Sequence, residues 1–289
     1  MKVGIDSYSF HRYFGEVYDN QKTPDKKMTY EEFIQFAIKN KVDGVSLETC
    51  FFESTEDSYL KKLKEMIDSA NLDVVVAWGH PDGLEGGKNP DALKDMEKYF
   101  DVCSLLGAKV LRVVGSSLAF RNDPHEPQIK ALVKLFKDPA KRAEDAGIKL
   151  AMENHFDFTI DEIGEIIEKI NSESFGITFD TGNALRIGDD PVTFAKYLGK
   201  YVYATHTKDV MPIYGGNPAD WYFFACVPVG KGAVNMPDIV KELKIMGYEG
   251  LYAIEIDYLH PQYSDEFSAV KESVKYLKKL AKKYRGERV

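Results

Sequence analysis

Short runs of β-branched and aromatic residues alternate along this chain with longer stretches in which apolar residues recur at helical spacing. The pattern predicts eight strands, near residues 3–9, 44–49, 74–79, 110–115, 149–154, 176–181, 202–207 and 251–257. It predicts helices between and after them, at residues 30–40, 59–69, 90–106, 127–145, 160–170, 191–198, 237–246 and 267–284. Such alternation of strands and helices is typical of a parallel sheet.

The polar positions within the predicted strands favour closure of that sheet into a barrel. In the sixth strand, Ile177 and Phe179 share one face, whereas Asp180 lies on the other. In the last strand, Glu255 likewise lies on the face opposite Ile254. Because the apolar faces should pack against the helices, the acidic side chains are expected to point into the barrel interior, which an ordinary apolar core would not tolerate.

The length of 289 residues suits one large α/β domain. We therefore expect a single (β/α)₈ TIM barrel over residues 1–289. Residues 211–235, after the seventh strand, are rich in glycine and proline and are expected to form a long irregular loop. A loop of that length in a compact domain is usually functional or mobile.

Composition and charge exclude several classes of protein. The net charge of −8 repels phosphate backbones and anionic membranes, so neither nucleic acid nor a membrane is expected as a partner. The chain has three cysteines, an odd number, and no two of them lie close together in the sequence, which argues against a disulfide framework. Asp6 interrupts any apolar core of a signal peptide, and no long apolar stretch follows. A cytoplasmic protein is expected; oligomeric state is left open, and self-association would be compatible with a barrel.

Glu153, Asp180, His206 and Glu255 each lie near the C-terminal end of a predicted strand. Active sites of TIM barrels lie at that end of the barrel. Three converging carboxylates would repel one another unless a cation bound between them. Oxygen donors with one imidazole suit Mn²⁺, Mg²⁺, Co²⁺ or Zn²⁺, and we favour Mn²⁺. The alternative is that the four residues are only salt-bridged or solvent-facing polar groups at strand ends.

Four segments around these residues resemble the motifs of the xylose isomerase-like sugar phosphate isomerase/epimerase superfamily. They read Ala-Met-Glu-Asn-His at 151–155, Phe-Asp-Thr-Gly-Asn at 179–183, Thr-His-Thr-Lys-Asp at 205–209 and Ala-Ile-Glu at 253–255. The resemblance implies a barrel in which one divalent metal is held by Glu153, Asp180, His206 and Glu255. It also implies that Glu153 and Glu255 are the catalytic bases.

Two departures from the superfamily's patterns narrow the expected activity. Ketose epimerases of this group usually carry a histidine three residues after the metal-binding aspartate, where this chain has Asn183. The endonuclease IV branch needs a histidine-rich trinuclear zinc cluster, and this chain has only six histidines, so we reject that branch. Phosphorylated substrates are not favoured, because no glycine-rich phosphate loop follows the seventh or eighth strand.

The leading hypothesis is a divalent-metal-dependent isomerase or epimerase acting on a sugar, cyclitol or oxo-polyol. Glu153 and Glu255 would move a proton beside a carbonyl through a metal-stabilised enediolate. Candidate substrate-binding residues around the barrel mouth are Glu48, Trp78, His80, Arg112, His155 and Lys208.

Two alternatives remain. A lyase or dehydratase acting on an oxo-sugar, oxo-cyclitol or dehydroshikimate-like compound would use the same metal and enolate, with His155 or Lys208 as the acid. The other alternative is a carbohydrate-binding barrel without catalysis. Residue types at the strand ends do not separate these functions, because fold similarity does not determine the reaction.

Overall fold

The computed structural model describes residues 1–284, and its central feature is a closed barrel of parallel strands. The strands in chain order are β1 (Lys2–Asp6), β2 (Gly44–Glu48), β3 (Asp73–Ala77), β4 (Val110–Val113), β5 (Lys149–Glu153), β6 (Phe175–Asp180), β7 (Val202–Thr207), β8 (Asp209–Pro212), β9 (Phe224–Val227) and β10 (Leu251–Ile254). All except β8 and β9 form the barrel, in the order β1-β10-β7-β6-β5-β4-β3-β2. The predicted TIM barrel is therefore confirmed.

Helices surround the barrel and bury their apolar stripes against it. They are α1 (His11–Phe14), α2 (Tyr30–Lys39), α3 (Asp57–Ser69), α4 (Ala92–Leu106), α5 (His125–Asp145), α6 (Ile160–Ile170), α7 (Thr181–Arg186), α8 (Pro191–Leu198), α9 (Met236–Ile245) and α10 (Glu266–Tyr284). In α6 a capping box between Thr159 and Glu162 begins the helix, and its buried isoleucines recur at helical spacing. The short helices α1 and α7 were not predicted, because neither is long enough to show a period.

The segment after β7 is more regular than the sequence predicts. Strands β8 and β9 pair in antiparallel register, with Asp209 opposite Val227, and form a hairpin above the barrel mouth. The carboxylate of Asp209 accepts hydrogen bonds from the backbone N–H groups of Gly230, Gly232 and Val234 at 2.8 to 3.0 Å. These bonds tie the end of the hairpin back to its start, so only residues 213–223 form its connecting loop.

Several strands end earlier than predicted. Strand β10 ends at Ile254, so Glu255 follows the strand directly rather than lying within it. The register pairs Asp180 directly with His206. Glu153 pairs with Thr178, and His206 pairs with Ala253, so Glu153 and Glu255 are each offset from that pair by two residues. The alternation along β5, β6 and β7 turns their polar positions into the barrel, as predicted. Within residues 1–284, no helix has the length and apolar character needed to cross a bilayer.

Candidate metal centre and active site

Four neighbouring barrel strands each contribute one side chain to a buried polar cluster at the C-terminal end of the barrel. Glu153 ends β5, Asp180 ends β6, His206 lies in β7 and Glu255 follows β10. All four are at least 96% buried. One donor atom from each of the four lies within 4.8 Å of the donor atoms of the others. The structure thus brings together the four residues that the sequence predicts as a set.

The backbone around Asp180 is held by bonds that leave one carboxylate oxygen for the cluster. Asn154 accepts from the N–H of Asp180 and donates to its carbonyl, both at 2.8 Å. Oδ1 of Asp180 caps helix α7 by accepting from the N–H groups of Gly182 and Asn183 at 2.9 and 2.8 Å. Oδ2 is therefore the oxygen directed at the other cluster members, and the cap fixes its orientation.

The donor atoms fit a divalent cation. Nδ1 of His206 lies 2.6 Å from Oε2 of Glu255, 3.2 Å from Oε1 of Glu153 and 4.0 Å from Oδ2 of Asp180. Within the described part of the chain, Nδ1 of His206, Oδ2 of Asp180 and Oε2 of Glu255 are buried without a well-formed hydrogen bond. Buried polar atoms seldom remain so unless something satisfies them. A cation with oxygen and imidazole ligands would satisfy these atoms together.

The electrostatics of the cluster point the same way. Burial alone would lower the pKa of His206, but Glu255 and Glu153 outweigh it and raise that pKa well above its usual value. Burial, aided by Glu255 and Glu153, raises the pKa of Asp180 to about 7. The crowded carboxylates thus attract positive charge, in the form of protons when no metal is bound. Binding a cation would replace those protons.

Arg112, one of the predicted substrate-binding residues, neutralises Glu153. Its Nε donates to Oε2 of Glu153 at 2.5 Å, and its guanidinium also donates to the Trp78 carbonyl at 3.2 Å. Burial would raise the pKa of Glu153, but Arg112 and His206 hold it well below its usual value. The same guanidinium reaches Glu48 at 3.5 Å, and burial raises the pKa of Glu48 to about 8 despite that contact. Burial therefore favours the protonated form of Glu48 at neutral pH.

Lys208 lies on the other side of the cluster and joins three carboxylates. Its Nζ is 2.8 Å from Asp180, 2.9 Å from Asp257 and 3.4 Å from Glu255. Asp257 also forms a bidentate pair with Arg186, whose guanidinium donates to both carboxylate oxygens. Lys208 is only 2% exposed and its charge is fully compensated. Lys208 therefore offsets the negative charge of these carboxylates, and it also lines the cavity above the cluster.

A cavity of about 370 Å³ opens above this cluster. Of the predicted substrate-binding residues it is lined by Glu48, His80, Arg112, His155 and Lys208, together with the predicted base Glu255. Trp78 lies elsewhere, because its indole N–H donates to Asp95 at 2.9 Å and turns the ring towards helix α4. The sequence pattern predicts that Trp78 lies near the C-terminal end of a strand, at the barrel mouth. It does not predict the side-chain rotamer, which is decided by tertiary packing.

Further residues line the cavity that the sequence did not single out as site residues. They are Tyr8, Tyr18, Pro81, Asp82, Ser117, Leu118, Ala119, Phe156, Trp221 and Asp257. Asp257 could have been found, because it lies two residues beyond Glu255 on the same face. Tyr18 and Trp221 lie on loops and carry no periodic signal. Folding brings the ring centroids of Tyr18 and Trp221 to 5.1 Å from each other at the cavity mouth.

Asp6, at the end of β1, supports His206 from behind. Its Oδ1 accepts the N–H of Tyr8 at 2.7 Å, and its Oδ2 lies 3.5 Å from Nε2 of His206. A carboxylate facing the second nitrogen of a ligating histidine fixes its tautomer and orientation. We therefore expect Asp6→Asn to weaken Mn²⁺ binding about 10- to 100-fold, measured by metal titration.

The control for this prediction is Asp73→Asn, which removes an exposed carboxylate paired with Lys2 at the opposite end of the barrel. Unchanged Mn²⁺ affinity in Asp6→Asn would refute the supporting role. Asp6, Glu48 and His206 also have donor atoms within 4.8 Å of one another. Two ions per chain in the unmodified protein, falling to one in the variant, would instead make Asp6 a ligand.

The turn after β5 places Phe156 at the cavity in a left-handed conformation, with φ of 61°. Asp157 holds this turn by accepting the N–H groups of His155 and Phe158 at 3.0 and 2.8 Å. Burial raises the pKa of Asp157 from 3.8 to about 7. The folded state thus keeps a proton that the unfolded state releases, so the free energy of unfolding falls as pH rises through that interval.

Asp157→Asn cannot titrate, and we expect its stability relative to the unmodified protein to rise between about pH 4 and about pH 8. Urea unfolding at the two pH values measures this change. Asp101→Asn, which alters an exposed residue in the middle of α4, is the control and should show no such trend. If the difference between Asp157→Asn and the unmodified protein does not vary with pH, the buried-proton argument is wrong.

The arrangement of donors at the C-terminal mouth of an eight-stranded barrel matches a known family. Residues 34–280 match the profile of the xylose isomerase-like TIM barrel. The chain belongs to this family. The resemblance noted from four short motifs is thereby confirmed over most of the chain, and it includes all four cluster residues.

The sequence relatives of this xylose isomerase-like barrel include both an uncharacterized protein and a named enzyme. The uncharacterized protein MJ1311 of Methanocaldococcus jannaschii is 32% identical over 122 residues, which are 39% of this chain and 38% of that protein. The inosose dehydratase of Clostridium beijerinckii is 24% identical over 243 residues, or 75% of this chain and 79% of the enzyme. The first match therefore spans little more than a third of its relative's length.

Among solved structures, the IOLI protein with a bound zinc atom superposes with a TM-score of 0.75 and covers 99% of this chain and all of its own. At 17% identity this likeness concerns the fold alone. It shows that the whole described barrel, including its closure by β1 and β10, follows a known arrangement. The chemistry must be argued from the residues of this chain.

Proposed function

We propose that this barrel is a divalent-metal-dependent isomerase or epimerase that moves a proton beside the carbonyl of a sugar, cyclitol or oxo-polyol. The observation that carries the proposal is a carboxylate, Glu255, that both contacts the metal-ligand cluster and lines the cavity. A proton acceptor beside a cation site is what carbon-acid chemistry needs.

Glu153, Asp180, His206 and Glu255 would hold the cation, with Mn²⁺ favoured. When bound, a divalent cation would polarise a carbonyl and its neighbouring hydroxyl and so ease formation of an enediolate. Asp180 and His206 are buried within the barrel and do not line the cavity, so neither can contact a substrate there. They would act as ligands only.

Glu255 and Glu153 are not equivalent as bases. Glu255 lines the cavity and can approach a substrate carbon, whereas Glu153 is wholly buried and carries Arg112 on one oxygen. We therefore assign the first proton abstraction to Glu255. Glu153 would return a proton to the opposite face only through Oε1, the oxygen that faces His206 and Asn183. Exchange of a substrate proton with solvent is expected to depend on Glu255 in particular.

Three further side chains are placed to orient hydroxyl or carbonyl oxygens. Arg112, His155 and Lys208 line the same cavity as Glu255. Burial lowers the pKa of His155 to about 4, so its ring is neutral, with one nitrogen able to donate a hydrogen bond and the other able to accept one. Nδ1 of His155 is buried and lacks a hydrogen-bond partner within residues 1–284, which leaves it for a ligand.

A lyase or dehydratase is the second candidate, and one observation favours it. Glu48 lines the cavity, keeps a proton at neutral pH and has Oε1 buried without a partner among the described residues. A positioned acid of this kind can protonate a departing hydroxyl after Glu255 has removed the proton from the adjacent carbon. The sequence relatives named as inosose dehydratases support the same reading.

Metal analysis together with solvent-deuterium incorporation tests the proposal. Purified protein loaded with Mn²⁺ would be incubated in deuterated water with ketoses, inososes and oxo-sugars, and products examined by mass spectrometry and NMR. We expect deuterium at a carbon beside the carbonyl and its loss on chelation. An absorbing enone product would select the lyase. Bound metal without exchange on any compound would contradict both, and would favour a non-catalytic carbohydrate-binding barrel.

A further inference from the structure

The cavity above Glu255 has two parts of different character. Its deep part is formed by the buried acidic and basic side chains of Glu48, Arg112, Lys208, Glu255 and Asp257, with the neutral, half-buried ring of His155 beside them. Its outer part is mainly apolar and is formed by Pro81, Leu118, Ala119 and Trp221, which are partly or fully exposed, with the half-buried ring of Tyr18 and the buried rings of Phe156 and Tyr8. The two parts are continuous, so a single ligand can occupy both.

The polar groups of the outer part are already paired with one another. The hydroxyl of Tyr8 donates to Oε1 of Glu16 at 2.6 Å and lies 2.7 Å from the hydroxyl of Tyr18. The hydroxyl of Ser117 donates to Asp82 at 2.6 Å. These bonds engage the tyrosine hydroxyls, and the Tyr8 ring is stacked on His11 and Phe51, with ring centroids 5.0 and 5.9 Å apart.

The remaining members of the outer part are also fixed by protein contacts. Nε2 of His80 lies 3.1 Å from Oε1 of Glu16, so this nitrogen is engaged. The indole of Trp221 packs edge to face on Tyr18 and Phe156, with ring centroids 5.1 and 6.1 Å apart. Leu118 and Ala119 contribute only aliphatic groups. The outer part therefore presents a preformed apolar wall.

A free sugar or cyclitol carries hydroxyls around its whole edge. Hydroxyls that leave water for an apolar wall without new hydrogen bonds lose free energy, whereas an apolar substituent gains it there. Apart from Asp82, which accepts the Ser117 hydroxyl, the acidic and basic groups that a polyol ring needs lie in the deep part. A ligand that fits the whole cavity is thus polar at one end and apolar at the other.

We propose that the substrate is a glycoside or similar conjugate, with its oxidised sugar or cyclitol ring over Glu255 and a planar apolar substituent against Leu118, Phe156 and Trp221. This rests on the proposed function, because it uses the same cavity and the same reacting end. It names the substrate class that the isomerase or lyase would take. Compounds without the substituent would leave the outer wall in contact with water.

Calorimetric titration of the Mn²⁺-loaded protein with matched phenyl and methyl glycosides of β-D-glucose and β-D-galactose tests the inference. These unoxidised compounds probe binding without turnover. We expect the phenyl compound of at least one pair to bind about 10- to 100-fold more tightly than its methyl partner. Leu118→Asp should lower that ratio about tenfold by placing a charge on the apolar wall. Ile245→Asp, at an exposed position on α9, should leave the ratio unchanged.

The outcomes separate this inference from the proposed function. Equal affinities within every pair, or no measurable binding of any glycoside up to its solubility limit, would overturn the inference. A ratio that falls equally in Leu118→Asp and Ile245→Asp would overturn it too. Deuterium exchange on free oxo-sugars with no phenyl preference would sustain the proposed function while refuting the glycoside. A phenyl preference without exchange on any oxo-compound would do the reverse.

Discussion

Glu255→Gln is expected to reduce solvent-deuterium exchange and turnover about 10²- to 10⁴-fold, the usual worth of a general base. The substitution keeps the shape of the side chain but removes the proton-accepting charge from the cavity wall. The fold should survive, because Lys208 retains Asp180 and Asp257 at 2.8 and 2.9 Å. The initial rate of deuterium incorporation at saturating Mn²⁺ measures the effect.

Glu249→Gln is the matched control for this experiment. Glu249 is exposed and precedes β10, so it lies at the opposite end of the same strand, away from the cavity. The Glu249→Gln variant should incorporate deuterium into the substrate at the rate of the unmodified protein. If Glu255→Gln still exchanged at that rate with normal Mn²⁺ content, Glu255 would be a ligand only and the base would have to be another cavity residue.

Glu153→Gln is expected to be the more damaging change to the fold. Arg112 is 5% exposed, and Glu153 is the carboxylate that binds its Nε and guanidinium. Removing one partner of a buried ion pair typically costs about 3 to 5 kcal/mol of unfolding free energy. The other contacts of Arg112 do not replace that carboxylate, because Glu48 lies 3.5 Å away and the Trp78 carbonyl, at 3.2 Å, carries no charge.

Chemical unfolding of the chelator-treated proteins checks this prediction independently of any substrate. Glu255→Gln serves as the comparison, and its loss of stability should be clearly smaller than that of Glu153→Gln. Equal losses would mean that Arg112 is held mainly by Glu48 and the backbone. Both variants should lose turnover, so stability and activity together distinguish the buried partner of Arg112 from the cavity base.

Glu153 and Glu255 have different surroundings in the structure, and the sequence does not predict this difference. The resemblance to the superfamily implied the same role, that of a catalytic base, for Glu153 and Glu255. Arg112 reaches one of them and leaves the other facing the cavity, and this depends on strand order around the barrel. Trp78 is a similar case, because its predicted place at the mouth ignored the hydrogen bond to Asp95 that turns it away.

The sequence by itself determined the repeated strands and helices, the inward direction of the acidic positions and the four candidate metal ligands. These features are periodic or local, so side-chain order along the chain carries them. Only the tertiary structure decided which carboxylate is neutralised, that Asp6 stands behind His206, and that Tyr18 and Trp221 meet to form an apolar outer wall. Those contacts join residues distant in sequence, and rotamers and loop paths set by packing create them.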